Sequence, residues 1–358
     1  MYKKLVGGLL ILFIFAVLFT ACSLDGSIES LREKIKSVPV FNVYIAGTYY
    51  DGNKNVACYW KNEEKIDLPV EDSSSFANAI AIARNGDVYV AGCYSTGPTE
   101  PTRACYWKNG LKIDLLGGSD HTIANAIAIA PNDDIYIAGT DGIDPDTLAC
   151  YWKNGVIGGL AVGTNSAANA IAVPSNDKFY IAGEYSEQSG FLPCYWKSGL
   201  PEGSLEGGPN QNKVFDIALA QNGDVYCAGH SGDGSILIAC YWINDLRTDI
   251  TEGTEYQSMA NAIALPPSGE IYTAGYYDDG AKDIACYWVN GSLNPLPSQS
   301  ISSYAYSIAI AKNNDVYISG TYYNGTKFVT CYWKNGGKTD LIGESIDKRK
   351  SAIVIEEK

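Results

Sequence analysis

Six times along the chain, an alternation of small and aliphatic residues such as Ala79-Ile80-Ala81-Ile82-Ala83 gives way to a polar turn and a second apolar run. Period-two alternation bounded by Gly, Asn and Asp predicts strands joined by tight hairpins. The second run ends in Val-Tyr-x-Ala-Gly or a close variant, at 43–47, 88–92, 135–139, 179–183, 225–229, 271–275 and 316–320. Turns such as Asn85-Gly86-Asp87 and Asn222-Gly223-Asp224 join the two, a chemistry suited to two-residue hairpin loops. A third strand carries Cys-Tyr-Trp, and a turn such as Lys108-Asn109-Gly110 leads into a short fourth strand such as Lys112-Ile113-Asp114-Leu115. We name these strands A, B, C and D.

The Cys-Tyr-Trp motif fixes the period. It begins at Cys58, Cys105, Cys150, Cys194, Cys240, Cys286 and Cys331, at intervals of 47, 45, 44, 46, 46 and 45 residues. Four antiparallel strands per repeat of about 45 residues predict the blades of a β-propeller. The two ends of the repeat region complement each other. The first repeat starts at strand B, Asn42-Val43-Tyr44, without a strand A. The last residues, Ser351-Ala352-Ile353-Val354-Ile355, have the strand A pattern with no repeat after them. From each motif Cys to the matching position of the next strand A the spacing is 20–22 residues, and from Cys331 to Ala352 it is 21. An open solenoid would need polar caps at both ends. The expected architecture is therefore all-β, a seven-bladed propeller over residues 40–358, whose C-terminal strand completes the first blade and leaves no open edge.

The first residues have a different pattern. Lys3 and Lys4 precede an apolar run from Leu5 to Phe19, which stops at Ala21-Cys22. This predicts an export signal over residues 1–21, too short for a membrane span. The segment Phe19-Thr20-Ala21-Cys22 resembles a lipobox, although Phe19 stands where the usual residue is Leu. That resemblance implies cleavage before Cys22 and its acylation. Residues 22–39 then form a tether, and Ile28, Leu31, Ile35 and Val38 recur at helical spacing. Ser23 follows the Cys where Asp would direct retention at the inner membrane of well-studied two-membrane bacteria, which points to the outer membrane or cell surface.

Composition narrows the function. The 358 residues include 40 Asp+Glu and 26 Lys+Arg, a net charge of −14. Removing residues 1–21 takes two Lys and no acid, leaving 24 basic against 40 acidic side chains, a charge of −16. That argues against nucleic acid as a partner and against a basic patch as the membrane attachment, which is left to acyl chains. With two His in the chain, no metal site, cofactor or Ser/His/Asp arrangement stands out. Asp141, Asp144 and Asp146 share a loop, but their spacing matches no calcium loop.

The repeats resemble those of bacterial exported β-propellers, including lipoproteins with repeated Tyr-Trp-Lys-Asn-Gly segments. The likeness covers residues 40–358. The Trp is followed by Lys, Ile or Val and not by Asp as in WD40 blades, and the double glycine of kelch blades is missing. It implies fold and export, and little about activity.

Ten Cys are present; with Cys22 acylated, nine remain, an odd number that cannot all pair. The seven motif Cys are expected as buried small hydrophobes, and Cys93 and Cys105 are candidates for a bridge across one hairpin. The Trp are expected in the core, since both faces of a blade meet neighbours.

Recognition is sought where the repeats differ. The A–B and C–D turns are near copies on one face of the disk. The B–C loops (Asp51-Gly52-Asn53-Lys54, Thr96-Gly97-Pro98-Thr99, Glu187-Gln188-Ser189-Gly190) and the D–A loops vary freely on the other. The second position after the strand B Gly holds Tyr49, Tyr94, Tyr185, Tyr277 and Tyr322; Asp141 and Ser231 break this set, with His230 beside the second break. Tyr49, Tyr94, Asp141, Tyr185, His230, Tyr277 and Tyr322 are the candidate ligand face, and edge cover for the blades is the competing reading of the Tyr. The leading functional expectation is a monomeric, lipid-anchored envelope propeller that binds a protein or glycan and is not an enzyme. A propeller enzyme acting on polysaccharide as hydrolase or lyase, and a purely structural envelope component, stay open; no catalytic residue is selected.

Overall fold

The structure is a computed structural model that describes residues 40–358 apart from 72, 96, 98–99, 144–145, 161–164, 188–189, 208–210, 233–234, 251–255, 298–300 and 346–349, and the side chains of 342–345. The signal segment, Cys22 and the expected helical tether lie outside the described residues, as does Asp144.

Residues 42–356 form one compact unit. Its strands make seven four-stranded antiparallel sheets, each in the order A-B-C-D. In blade 1 the order is Ala352–Glu357, Phe41–Tyr50, Asn55–Lys61, Glu64–Asp67, so the C-terminal strand supplies strand A as the ends of the sequence require. Contacts between blades 7 and 1 close the ring. The Ile353 N–H donates to Ser307 Oγ, the Ser351 hydroxyl to Ser319 Oγ and the Tyr332 hydroxyl to Glu63 Oε1.

The core consists of the interfaces between successive blades. Between blades 4 and 5, Ala170, Ala182 and Tyr195 meet Val214, Cys240 and Trp242, and the other interfaces repeat the scheme. On strand C, alternation sends Cys and Trp to one neighbour and Tyr to the other. All seven Trp are 0–1% exposed. Burying this much aromatic surface is the main force holding the blades together.

No disulfide joins any of the nine described cysteines, Cys93 and Cys105 included. The register explains why these two stay apart: Cys93 pairs with Ala104 and Cys105 with Gly92. Directly paired residues share a face and neighbours alternate, so the two thiols project to opposite sides of the hairpin.

Two local devices recur. In the C–D turn of blade 2, Asn109 and Gly110 both have positive φ, 50° and 85°, the geometry of a type I′ turn. Asn109 Oδ1 accepts from the Val88 N–H, and its amide donates to Asp87 in the A–B turn, which ties the two turns into one surface. The second device is a β-bulge in strand A, at Asn78, Asn125 and Asn169 in blades 2 to 4. It presses strand A onto strand B, so a Cβ at Gly92 would stand 1.8 Å from the Phe76 carbonyl oxygen and only glycine fits.

Candidate functional site

The bulged asparagines line the central bore and lock adjacent blades. The amide of Asn78 donates to the Ala124 carbonyl of the next blade at 2.9 Å, Asn125 to Ala168 at 3.0 Å, Asn169 to Val214 at 2.8 Å and Asn261 to Ala305 at 2.8 Å. Blades 5 and 7 depart from this scheme, blade 7 with Tyr306 at the bulge and Ser307 after it; blade 5 departs further. Phe215 occupies the bulge, and the following position, Ala in blades 2, 3, 4 and 6, is Asp216. A carboxylate oxygen of Asp216 accepts from the Ile263 N–H, so it takes over the link to blade 6. Burial raises the Asp216 carboxyl to about 6, against the opposing pull of the Ile263 and Ile217 amides and Lys350.

A second departure lies one position after the strand B glycine. Blades 1, 3 and 7 have Thr48, Thr140 and Thr321 there, whereas blade 4 has Glu184 and blade 5 has His230. Glu184 is 5% exposed and accepts from the Asn169 amide at 2.7 Å. Burial raises its carboxyl to about 7, an effect that nearby Lys213 and Lys350 reduce. Lys213 Nζ stands 4.0 Å from Glu184 Oε1. His230 is 4% exposed, packs against Phe215 with ring centroids 5.4 Å apart and the rings tilted by 48°, and leaves its buried Nδ1 without a hydrogen-bond partner. Burial, and then the charge of Lys213, lowers the imidazole to about 4, so it is neutral at pH 7.

These side chains surround two hollows that share Phe215. One, of about 180 Å³, is the bore itself, walled by the asparagines with Asp216, Ser351 and Lys350. Lys350 keeps exposed surface, yet the wall strips enough water from its ammonium group to lower its pKa, offset in part by Glu184. The other, of about 440 Å³, opens beside the bore and is lined by Phe191, Lys213, Phe215, His230, Leu237 and Met259, with Gln211 and the buried Asn212. Phe191 follows the B–C loop of blade 4 and Gln211 the D–A loop of blade 5, so the hollow opens on the variable face. It offers aromatic and aliphatic walls, one ammonium group and a neutral imidazole. That combination suits a partly apolar, anionic guest.

Of the residues singled out in the sequence, His230 is the one in this hollow. The tyrosines are spread around the ring, half-buried on the blade flanks. The Tyr49 hydroxyl donates to Asp67 at 3.0 Å under Lys65, whose Nζ is 3.4 Å from the ring centroid. Tyr322 repeats this with Asp340 and Lys338, and Tyr94 lies under Lys112. Tyr94, Tyr185 and Tyr277 pack against the interblade clusters. Asp141 accepts from the Ser119 N–H and holds a D–A loop. Sequence reasoning missed Glu184, Lys213, Phe215, Asp216 and Lys350, although comparing the repeats one position nearer the glycine exposes Glu184, and comparing the strand A bulges exposes Phe215.

No family model matches the chain, and no curated protein matches it. Among solved structures it is similar to TolB from Acinetobacter baumannii, at 10% identity over 87% of this chain and 66% of that one, with a TM-score of 0.45. An ulvan lyase from a new family of polysaccharide lyases, bound to a GlcA–Rha3S saccharide, is 12% identical over 72% of this chain and 81% of its own, with a TM-score of 0.47. A protein of unknown function from Dyadobacter fermentans is 12% identical over 81% and 96%, with a TM-score of 0.46.

Proposed function

We propose that the protein is exported, acylated at Cys22 and held as a monomer at the outer membrane or cell surface, where its propeller binds an acidic glycan. The observation that carries this reading is that three blade 5 residues, Lys213, Phe215 and His230, line one hollow at one mouth of the bore together with Phe191 and Met259 of the adjoining blades. A sugar ring can lay its C–H face on Phe215 or Phe191 while a carboxylate or sulfate group pairs with Lys213. A concave hollow of this size suits the end of a glycan better than the flat patch typical of a protein partner.

The test is a glycan array followed by calorimetry with the best uronate-containing and neutral oligosaccharides. Lys213→Ala should weaken the acidic ligand at least tenfold and leave a neutral one unchanged, the scale of a charge-assisted hydrogen bond. Phe215→Ala should weaken both. If neither variant alters the binding of any array hit, the hollow is not the site.

A second reading, an enzyme acting on polysaccharide, draws support from Glu184 and Asp216. Both carboxyls are raised toward the range where acid–base groups work. New reducing ends or unsaturated products from the same oligosaccharides would establish it.

A further inference from the structure

Four successive blades expose a large aliphatic side chain at the first position of strand D. Leu111, Val156, Leu200 and Leu246 are 74, 70, 67 and 72% exposed. Blades 6, 7 and 1 have Ser292, Gly337 and Glu64 at that position. The C–D turn has the same Asn-plus-positive-φ geometry with Leu111 after it as with Ser292 or Gly337, so turn chemistry does not require the aliphatics. Leu116, also 70% exposed, bridges to the backbone at Val156 and widens the apolar area between blades 2 and 3. Single exposed aliphatics are ordinary, but an arc of equivalent positions on consecutive blades is a surface.

The arc lies on the face opposite the hollow. The C–D turns share their face with the A–B turns, as the Asn109–Asp87 hydrogen bond shows, while the hollow opens among the B–C and D–A loops. Strand B of blade 1 also begins on the arc's face, because the Val43 N–H donates to Asn62 of the C–D turn. The start of that strand, Phe41–Tyr50, therefore lies on the side that carries the arc. Cys22 to Pro39 is 18 residues, roughly 27 Å as a helix and no more than about 60 Å extended.

We propose that the propeller docks on the lipid bilayer through Leu111, Val156, Leu200 and Leu246, tilted toward blades 2 to 5, so that the hollow faces away from the membrane. This rests on anchoring at Cys22, which holds the arc within a tether length of the lipid. The contact is apolar. Lys108, Lys153 and Lys197, next to three of the C–D turns, are paired with Asp87, Asp134 and Glu202, and the chain is strongly acidic, so the matching surface is a zwitterionic bilayer and not an anionic one.

Hydrogen–deuterium exchange tests the docking. The exported protein in phosphatidylcholine vesicles is compared with its Cys22→Ala counterpart free in solution. Amides at 109–116, 154–158, 198–202 and 244–248 should exchange about tenfold more slowly on vesicles, and the B–C loop 279–282 should be unchanged. Replacing all four arc residues with Ser should abolish that protection without releasing the protein from vesicles. Equal exchange on and off the vesicles, or protection of the B–C and D–A loops instead, overturns the docking. Metabolic labelling of Cys22 decides the anchor separately. If it finds no lipid, coupling Cys22 to a maleimide-bearing lipid supplies the tether, and the exchange pattern still decides which face meets the bilayer.

Discussion

Blades 3 and 5 share one fold and one set of core residues, yet they treat the bore differently. Blade 3 has Asn125 at the bulge, Ala126 after it and Thr140 beyond the strand B glycine; blade 5 has Phe215, Asp216 and His230. In blade 3 the polar group that reaches the bore is used up in holding the next blade. In blade 5 a buried carboxylate holds the next blade, and the bulge is freed to present an aromatic ring beside an imidazole and Lys213. Repetition here marks what assembles the ring, and departure from it marks where chemistry is concentrated.

The strongest way to break this comparison is to attack what all blades share. Deleting residues 351–358 removes strand A of blade 1 and exposes its neighbouring strand edge; the expected outcome is aggregation or loss of cooperative unfolding, read by light scattering and calorimetry. A soluble truncated chain with an unchanged midpoint would contradict ring closure. Trp107→Ala should cost about 3–5 kcal/mol in denaturant titration, as large core truncations do, with ligand binding intact in the protein that stays folded.

Blade 4 offers a pH test. The Glu184 carboxyl titrates near 7 in the fold and near its ordinary 4.5 when unfolded. Between those values the folded state holds the extra proton, so stability falls as pH rises through this window. Glu184→Gln should remove that loss, gaining up to about 3 kcal/mol relative to wild type at pH 8 and little at pH 4. Equal effects at both pH values would mean that the carboxyl is not desolvated. His230 acts with the opposite sign. Its imidazole is lowered to about 4, so the stability it contributes falls as pH drops from about 6.5 toward 4.

Asn125→Ala leaves the Ala168 carbonyl without its donor and should cost about 1–2 kcal/mol, measured by thermal unfolding. The smallest effect is expected on the blade flank. Tyr49→Phe removes one hydroxyl contact with the half-exposed Asp67 and should change stability by about 0.5 kcal/mol or less, with no effect on ligand binding. A loss of binding there would return the tyrosines to the recognition surface.

The ring was readable in the sequence because its determinants are periodic. The Cys-Tyr-Trp spacing, the Asn-Gly turns and the orphan strand at Ser351 each recur or match at fixed separations. The hollow is built the other way. Lys213 and His230 are paired directly across strands A and B, and Phe191 and Met259 come from the blades on either side. No local spacing joins four blade positions whose only common property is proximity to the bore. His230 drew notice because it broke a pattern, while the neighbouring Tyr positions drew notice because they kept one. Side-chain alternation then decides the outcome: the second residue after the glycine turns to the flank, and the first turns toward the inner strand of the next blade.

Ring closure also has a consequence in time. The Asn42 amide donates to Glu356, 314 residues further along. A chain synthesised from its N-terminus can complete blades 2 to 7 in order, but its first sheet waits for its last strand. The entropy of joining such distant ends grows only logarithmically with the separation, so the wait is set by synthesis and not by the search. Until that strand arrives, strand B of blade 1 has an unpaired edge. A chain interrupted anywhere before Ser351 would keep that edge, and a closed ring thus records that synthesis has passed the strand Ala352–Glu357.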